Sequence, residues 1–173
     1  MQEQLFNTIS VKKSDDACSP APVSHQVIGR VSELRAEVEL LLRGHKVAHP
    51  GTDDDGVDLI VDYGIAVQVK ATGSSTGGKW SVNLNGLRFS ERRAGESVKG
   101  CLREHVDVLI VHAHPISAWW VIPRSALDAV NAYSSSSLVV AEIAAAARGN
   151  TAFISHYRDR WDVFDYPDNF GIK

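Results

Sequence analysis

Asp58, Gln68 and Lys70 lie in the stretch GTDDDGVDLIVDYGIAVQVKAT (51–72), on two apolar runs parted by Asp62-Tyr63-Gly64. A carboxylate and an amide oxygen are hard ligands that suit Mg²⁺, which keeps several waters and is commonly shared with a substrate phosphate. A protonated lysine is no ligand, but it can orient a water or offset charge on a phosphate under attack. This chemistry needs the three groups on one face of a strand pair, so the register decides it. Side chains alternate with period two along a strand. With strands at 57–61 and 65–71 and a three-residue loop, Val61 faces Ile65, Leu59 faces Val67 and Val57 faces Val69, all on one apolar side. Ile60 then pairs with Ala66 and Asp58 with Gln68 on the other side, which Lys70 shares. A two-residue Tyr63-Gly64 turn would set Asp58 against Val69 and Gln68 against Leu59. The three-residue loop also ends on Gly64, which takes the left-handed conformation such loops need without strain. The backbone carbonyl of Val69, between Gln68 and Lys70, can supply another oxygen. Spacing alone is a weak signal, since the same residues could form a surface ion pair of little worth.

The elements around this hairpin must position it. Residues 1–27 are mixed and polar, with SPAP at 19–22, and read as a flexible N-terminal arm before a single domain, 28–173. Val31, Leu34, Val38, Leu41 and Leu42 recur at helical spacing. They predict a helix over about 31–43, capped by Ser32 or a residue just before it and closed by Gly44. HKVAHP (45–50) reads as a short strand, GSSTGGK (73–79) as a flexible connection and WSVNL (80–84) as a strand. Residues 86–104 read as a basic loop with room for a short helix. VDVLIVHAH (106–114) is a continuous apolar run, the mark of a central strand, and PIS turns it into AWWVIP (118–123). SALDAVNAY, capped by Ser125, and the Ala-rich LVVAEIAAAARGN (138–150), closed by Gly149, read as helices. Helix, strands, then helices predict an α/β sandwich around a mixed central sheet.

A chain of 173 residues is long enough for one domain with a sizeable core, and 44% hydrophobic with 23% charged residues is ordinary for a globular protein. The net charge of −3 does not by itself advertise nucleic-acid binding, but its distribution does: 79–104 carries +3 and the remainder −6. Lys79, Arg88, Arg92, Arg93 and Lys99 make a basic arm that can hold a polyanion, or a solvated loop. Cys18 and Cys101 form no CxxC and no metal spacing with histidine, which fits a reducing cytoplasm. No apolar run reaches the length of a membrane span. Asp53, Asp54 and Asp55 read as a solvated loop. His49 lies close to them and can assist proton transfer. His112 and His114 share a strand face, and two residues do not make a metal site. Trp119 and Trp120 point to opposite faces, one into the core and the other available to stack on a base or pack on a partner subunit. Trp161 and Phe164 read as docking the C-terminus onto the sheet.

From Gly29 to Thr72 the chain resembles the PD-(D/E)xK nuclease superfamily. Within it the likeness is to archaeal-type Holliday-junction resolvases and to intron-associated homing endonucleases of that fold. SELRAEVELLLRGHKVAHPGT (32–52), VDLIVD (57–62) and IAVQVKAT (65–72) carry it, with a weaker echo in VDVLIVHAHPISAWWVIP (106–123). The resolvases place a Glu in the first helix 11 residues before a Gly, as Glu33 precedes Gly44 here. The resemblance implies a restriction-endonuclease-like α/β/α sandwich and a metal-dependent DNA endonuclease. It implies Mg²⁺ (or Mn²⁺) near Glu33, held by Asp58, Gln68 and the Val69 carbonyl, with Lys70 on the water side and Thr52 in the place of a family serine. It selects Glu33; helix periodicity sets Glu33 away from the apolar stripe and leaves Glu37 nearer its edge. The family often has an acid where Gln68 stands, and Gln removes one charge from the site. Cutting two strands implies a homodimer or larger. Two other functions remain open: resolution of branched DNA, and a non-catalytic nucleic-acid-binding module on the same fold.

Overall fold

A hydroxyl sets the start of the first helix. In the computed structural model, which describes residues 23–51, 56–62, 64–84, 106–132 and 135–166, α1 runs His25–Leu42. Ser24 caps it, accepting a hydrogen bond from the Val27 amide at 3.3 Å and so satisfying one of the N–H groups a helix start leaves open. The helix therefore begins before the expected Val31, inside the stretch read as an arm, and Ser32 is an interior residue rather than a cap. Gly44 follows the last turn at φ +91, as the left-handed C-terminal position requires. The buried side of α1 also departs from expectation. Ser32, Ala36 and Leu40 face inward, while Leu34, Val38 and Leu41 of the apolar stripe are 43%, 53% and 50% exposed. Small Ser and Ala side chains let the helix lie close to the sheet, and Ser32 finds polar partners there. Its Oγ donates to the Ile28 carbonyl at 2.8 Å and lies 2.7 Å from His112 Nδ1.

The five-stranded sheet has the order β1-β2-β3-β6-β7, with β1 Val47–Ala48, β2 Leu59–Val61, β3 Ile65–Thr72, β6 Val108–Ala113 and β7 Ala118–Pro123. β3 and β6 pair in parallel and every other neighbour is antiparallel, so the sheet is mixed. β6 is buried along its whole length, as its unbroken apolar run predicts. A second sheet has the order β4-β5-β8, with β4 Ser75–Thr76, β5 Lys79–Asn83 and β8 Ser137–Ala141. The stretch read as a flexible connection holds the β4–β5 turn, where Gly77 and Gly78 both take positive φ, 58 and 71, as a two-residue hairpin turn demands.

The segment 138–150 is not a helix. Leu138 and Val140 point inward from β8, which pairs antiparallel with β5. The β-branched Val139-Val140 favours a pleated surface, and packing against β5 outweighs the helix propensity of the alanines. Ala144–Ala146 forms one 3₁₀ turn. Gly149 opens α3, Gly149–Ser155, at φ +57, instead of closing a helix. The other expected helix is present but short: α2 spans Arg124–Ala129, with Pro123 at its cap position and Ser125 inside it.

Two cores sandwich the central sheet. On one side, Ala36 and Leu40 of α1 meet Leu59, Val67, Ile110 and Val121, closed by Trp161 and Phe164 of the 3₁₀ turn Trp161–Asp165. On the other, Leu109, Val111, Trp120 and Ile122 pack on Trp80, Val82 and Val140 of the second sheet and on Leu127 and Ile154 of α2 and α3. That outer layer therefore holds strands as well as helices. Trp119 and Trp120 do point to opposite faces, but both are buried, so neither is available to stack on a base. Trp119 stacks instead on His112, with ring centroids 3.9 Å apart.

Candidate active site

The β2–β3 hairpin carries the candidate residues, and its register is the one the apolar pattern predicts: Leu59 opposite Val67, Ile60 opposite Ala66, Val61 opposite Ile65. Its turn closes differently. Of the described loop residues, Asp62 takes the left-handed conformation, at φ 47, and Gly64 does not. Asp62 holds that conformation through its carboxylate, which accepts from the Lys46 amide at 3.0 Å and meets His45 Nδ1 at 2.7 Å. Aspartate is among the residues that tolerate the left-handed region when such local bonds form.

The ladder ends at Leu59. Val57 packs on the core beyond the sheet, against the expectation that it would face Val69 beside Leu59 and Val61. The Asp58 amide donates to the Val67 carbonyl at 2.8 Å, and Asp58 Oδ2 accepts from the Val69 amide at 2.6 Å. A carboxylate thus takes the place of the next backbone partner and lands on the residue between Gln68 and Lys70. The link between Asp58 and that strand is a side-chain-to-backbone bond rather than a cross-strand pair. In an extended strand the N–H and C=O of one residue point the same way, so the Val69 carbonyl lies on the Asp58 side of β3.

Burial pushes the Asp58 carboxyl up to about 6, from 3.8. The Val69 hydrogen bond opposes this, Glu33 adds to it, and Lys70 and Arg30 oppose it. The side chains of Glu33, Lys70 and Arg30 are therefore within electrostatic reach of Asp58. Gln68 is 4% exposed, and its Oε1 is buried without a hydrogen-bond partner among the described residues. A buried oxygen left unmatched is costly and asks for a donor or a cation. Asp58 and Gln68 thus both carry a cost that a hard cation would relieve. Among the described residues no three His, Cys, Asp or Glu side chains gather into a metal cluster. Carboxylate, amide and backbone carbonyl oxygens are hard ligands of the kind that suit a cation that keeps part of its water.

Glu33 flanks the inward side of α1, because that side is the Ser32–Ala36–Leu40 face and not the apolar stripe. It pairs with Arg30 Nη1 at 2.8 Å. Glu37 pairs instead with His49 Nε2 at 3.2 Å. Arg30 is the residue that sequence reasoning missed; its spacing of three from Glu33, one helical turn, was the available signal. Asp107 is a second omission, with a structural part: its Oδ2 accepts from the Ala66 amide at 2.9 Å and its Oδ1 lies 3.6 Å from Arg124, tying the start of β6 to β3. Of the basic arm, Lys79 begins β5 and is exposed. Arg88, Arg92, Arg93 and Lys99 lie outside the described residues, as do Thr52 and Asp53 to Asp55. No helix among the described residues is long and apolar enough to cross a membrane.

Comparison with known proteins agrees with this architecture. No curated protein matches the chain. Among solved structures, the bacterial homing endonuclease I-Ssp6803I is similar, with a TM-score of 0.57 and 21% identity over 83% of this chain and 92% of that one. At that identity the likeness speaks for the fold, a restriction-endonuclease-like mixed α/β sandwich. The family profile described as PD-(D/E)XK endonuclease matches residues 23–162, which includes the β2–β3 hairpin, α1 and both sheets, and the chain belongs to that family.

Proposed function

We propose that this chain is a metal-dependent endonuclease that hydrolyses DNA phosphodiester bonds at the Asp58 end of the β2–β3 hairpin. The observation that carries the reading is two oxygen groups held at a cost: the partly buried Asp58 carboxyl, raised to about 6, and the buried Gln68 Oε1, which has no hydrogen-bond partner among the described residues. Asp58, Gln68, the Val69 carbonyl and Glu33 are the groups that would hold Mg²⁺ or Mn²⁺. When bound, the ion supplies positive charge to a phosphate oxygen and makes a nearby water more acidic. Lys70, on the same strand, orients the attacking water and offsets charge on the phosphate. Arg30 holds Glu33 in place while no cation is there, as its ion pair supports. Lys79, Arg88, Arg92, Arg93 and Lys99 reach the DNA backbone, whose phosphates they contact without reading sequence. Two copies cut the two strands, and the absence of disulfide spacing fits work in the cytoplasm.

The test is cleavage of supercoiled plasmid and of a synthetic four-way junction with Mg²⁺, Mn²⁺ or EDTA, using wild type, Asp58→Ala and Lys70→Ala. Metal-dependent cutting that both variants lose is the expected result, and the preferred substrate separates duplex from branched-DNA enzymes. Gln68 in place of a family acid favours a second reading, a binding module without catalysis. That module would bind DNA equally in all three proteins and cut neither substrate.

A further inference from the structure

Helix α1 is apolar on two opposite sides, and the described residues bury only one of them. Ser32, Ala36 and Leu40 pack inward. Val27, Val31, Leu34, Val38 and Leu41 run along the other side, where Val27, Leu34, Val38 and Leu41 are each 43–53% exposed. At about 100° per residue the two sets are centred roughly half a turn apart. The exposed set advances by four, three, four and three residues, which is the seam of two packed helices. Val31 and Val38 fall at the a positions, and Val27, Leu34 and Leu41 at the d positions. Valine and leucine at these positions are apolar side chains of the kind that fill such a seam. The stripe continues into a cleft of about 540 Å³ lined by Arg35, Ser117 and Trp119 as well as Val31, Leu34 and Val38. A contiguous exposed apolar face of this kind marks a protein interface.

We propose that this stripe is the contact between two copies of the chain, α1 packed antiparallel on α1 about a two-fold axis. Charge selects the arrangement. With Val27 level with the partner's Val38, and Val31 level with the partner's Leu34, Arg30 of each copy, paired with Glu33 in its own chain, lies beside the partner's Glu37, itself paired with His49, so that two attractive contacts extend these pairs across the axis. The antiparallel register one heptad along sets Glu37 on the partner's Glu37 and Arg35 on the partner's Arg35. A parallel pair sets Arg30 on the partner's Arg35. The favoured contact is self-complementary and closes at two copies. It names the surface of the dimer that two-strand cleavage needs, but it does not depend on the nuclease reading, because its test reads mass and not cutting.

That test is sedimentation equilibrium of the full chain: wild type, Leu34→Glu, and Ile143→Glu as a control at a residue that is 65% exposed elsewhere. Wild type and Ile143→Glu are expected at twice the 18.9 kDa chain mass, and Leu34→Glu at half of that with unchanged far-UV circular dichroism. Arg30→Glu should weaken the dimer severalfold, and adding Glu37→Arg to the same chain should restore it. A monomeric wild type, or a Leu34→Glu variant that keeps the wild-type mass, overturns the interface. Failure of the double charge reversal to restore the dimer overturns the antiparallel arrangement. If the wild type is monomeric and α1 gains hydrogen-exchange protection only with duplex DNA, the face belongs to DNA.

Discussion

Asp58 sits where the fold disfavours its charge. Its folded value of about 6 lies above the 3.8 of an unperturbed carboxyl. Below pH 3.8 the group is neutral in both folded and unfolded chains and costs nothing. The cost grows as pH rises from 3.8 to about 6, and above that it is complete, about 3 kcal/mol in the metal-free protein. Asp58→Asn should therefore stabilise the metal-free chain at pH 8 by up to about 3 kcal/mol and leave it little changed at pH 3.5, while abolishing cleavage. Urea unfolding in EDTA at the two pH values measures this; equal effects of the substitution at both would show that burial does not strain Asp58. Gln68→Glu should act in the opposite sense. An added carboxylate raises Asp58 further, lowers metal-free stability at pH 8, and tightens Mg²⁺ binding on the order of tenfold through the added ligand charge. A Gln68→Glu protein with unchanged metal affinity would remove Gln68 from the ligand set.

At the scale of elements, α1 depends on two serines that do different work. Ser24→Ala removes the cap and should cost about 1 kcal/mol. Ser32→Ala removes a buried partner. A hydroxyl has one proton, and Ser32 gives it to Ile28, so His112 Nδ1 must be the donor to Ser32. Burial holds the His112 imidazole down at about 4, so it stays neutral at neutral pH. Losing Ser32 leaves that N–H unmatched and should cost about 1–3 kcal/mol, more than losing the cap. Denaturant midpoints of the two variants check the ranking. Not all of this was legible beforehand. The hairpin register was, because a period of two and one loop length admit a single arrangement that keeps Leu59, Val61, Ile65 and Val67 together. Val57 escaped that rule, since the chain leaves the sheet just before Leu59. The buried face of α1 was hidden because its strongest apolar stripe faces outward, so helix periodicity set Glu33 away from Asp58, whose carboxyl it reaches electrostatically. The left-handed Asp62 was masked by a glycine two residues on, and β8 by the alanines that follow it.

For the whole molecule, the central sheet separates two cores, and the proposed site lies just before β2 begins, beside α1 and β3. Leu40 is fully buried between that helix and the sheet. Leu40→Ala should cost about 2–5 kcal/mol and loosen Glu33 relative to Asp58. Its effect on stability should appear in unfolding and its effect on the site in a weaker metal response at a temperature where the variant is still folded. The family likeness from 29 to 72 was readable in the sequence because the residues that carry it lie within one short stretch of chain. The second sheet was not, because β5 and β8 lie more than fifty residues apart along the chain and pair only in the folded protein.

The most direct test is calorimetric titration of Mn²⁺ into wild type and Asp58→Asn at pH 8 and pH 5. A proton competes with the cation for Asp58, so wild type should bind about tenfold more weakly at pH 5 than at pH 8, and Asp58→Asn should bind little at either. Equal binding by the two proteins, or wild-type binding that ignores pH, would place the cation elsewhere and contradict a metal site built on Asp58 and Gln68.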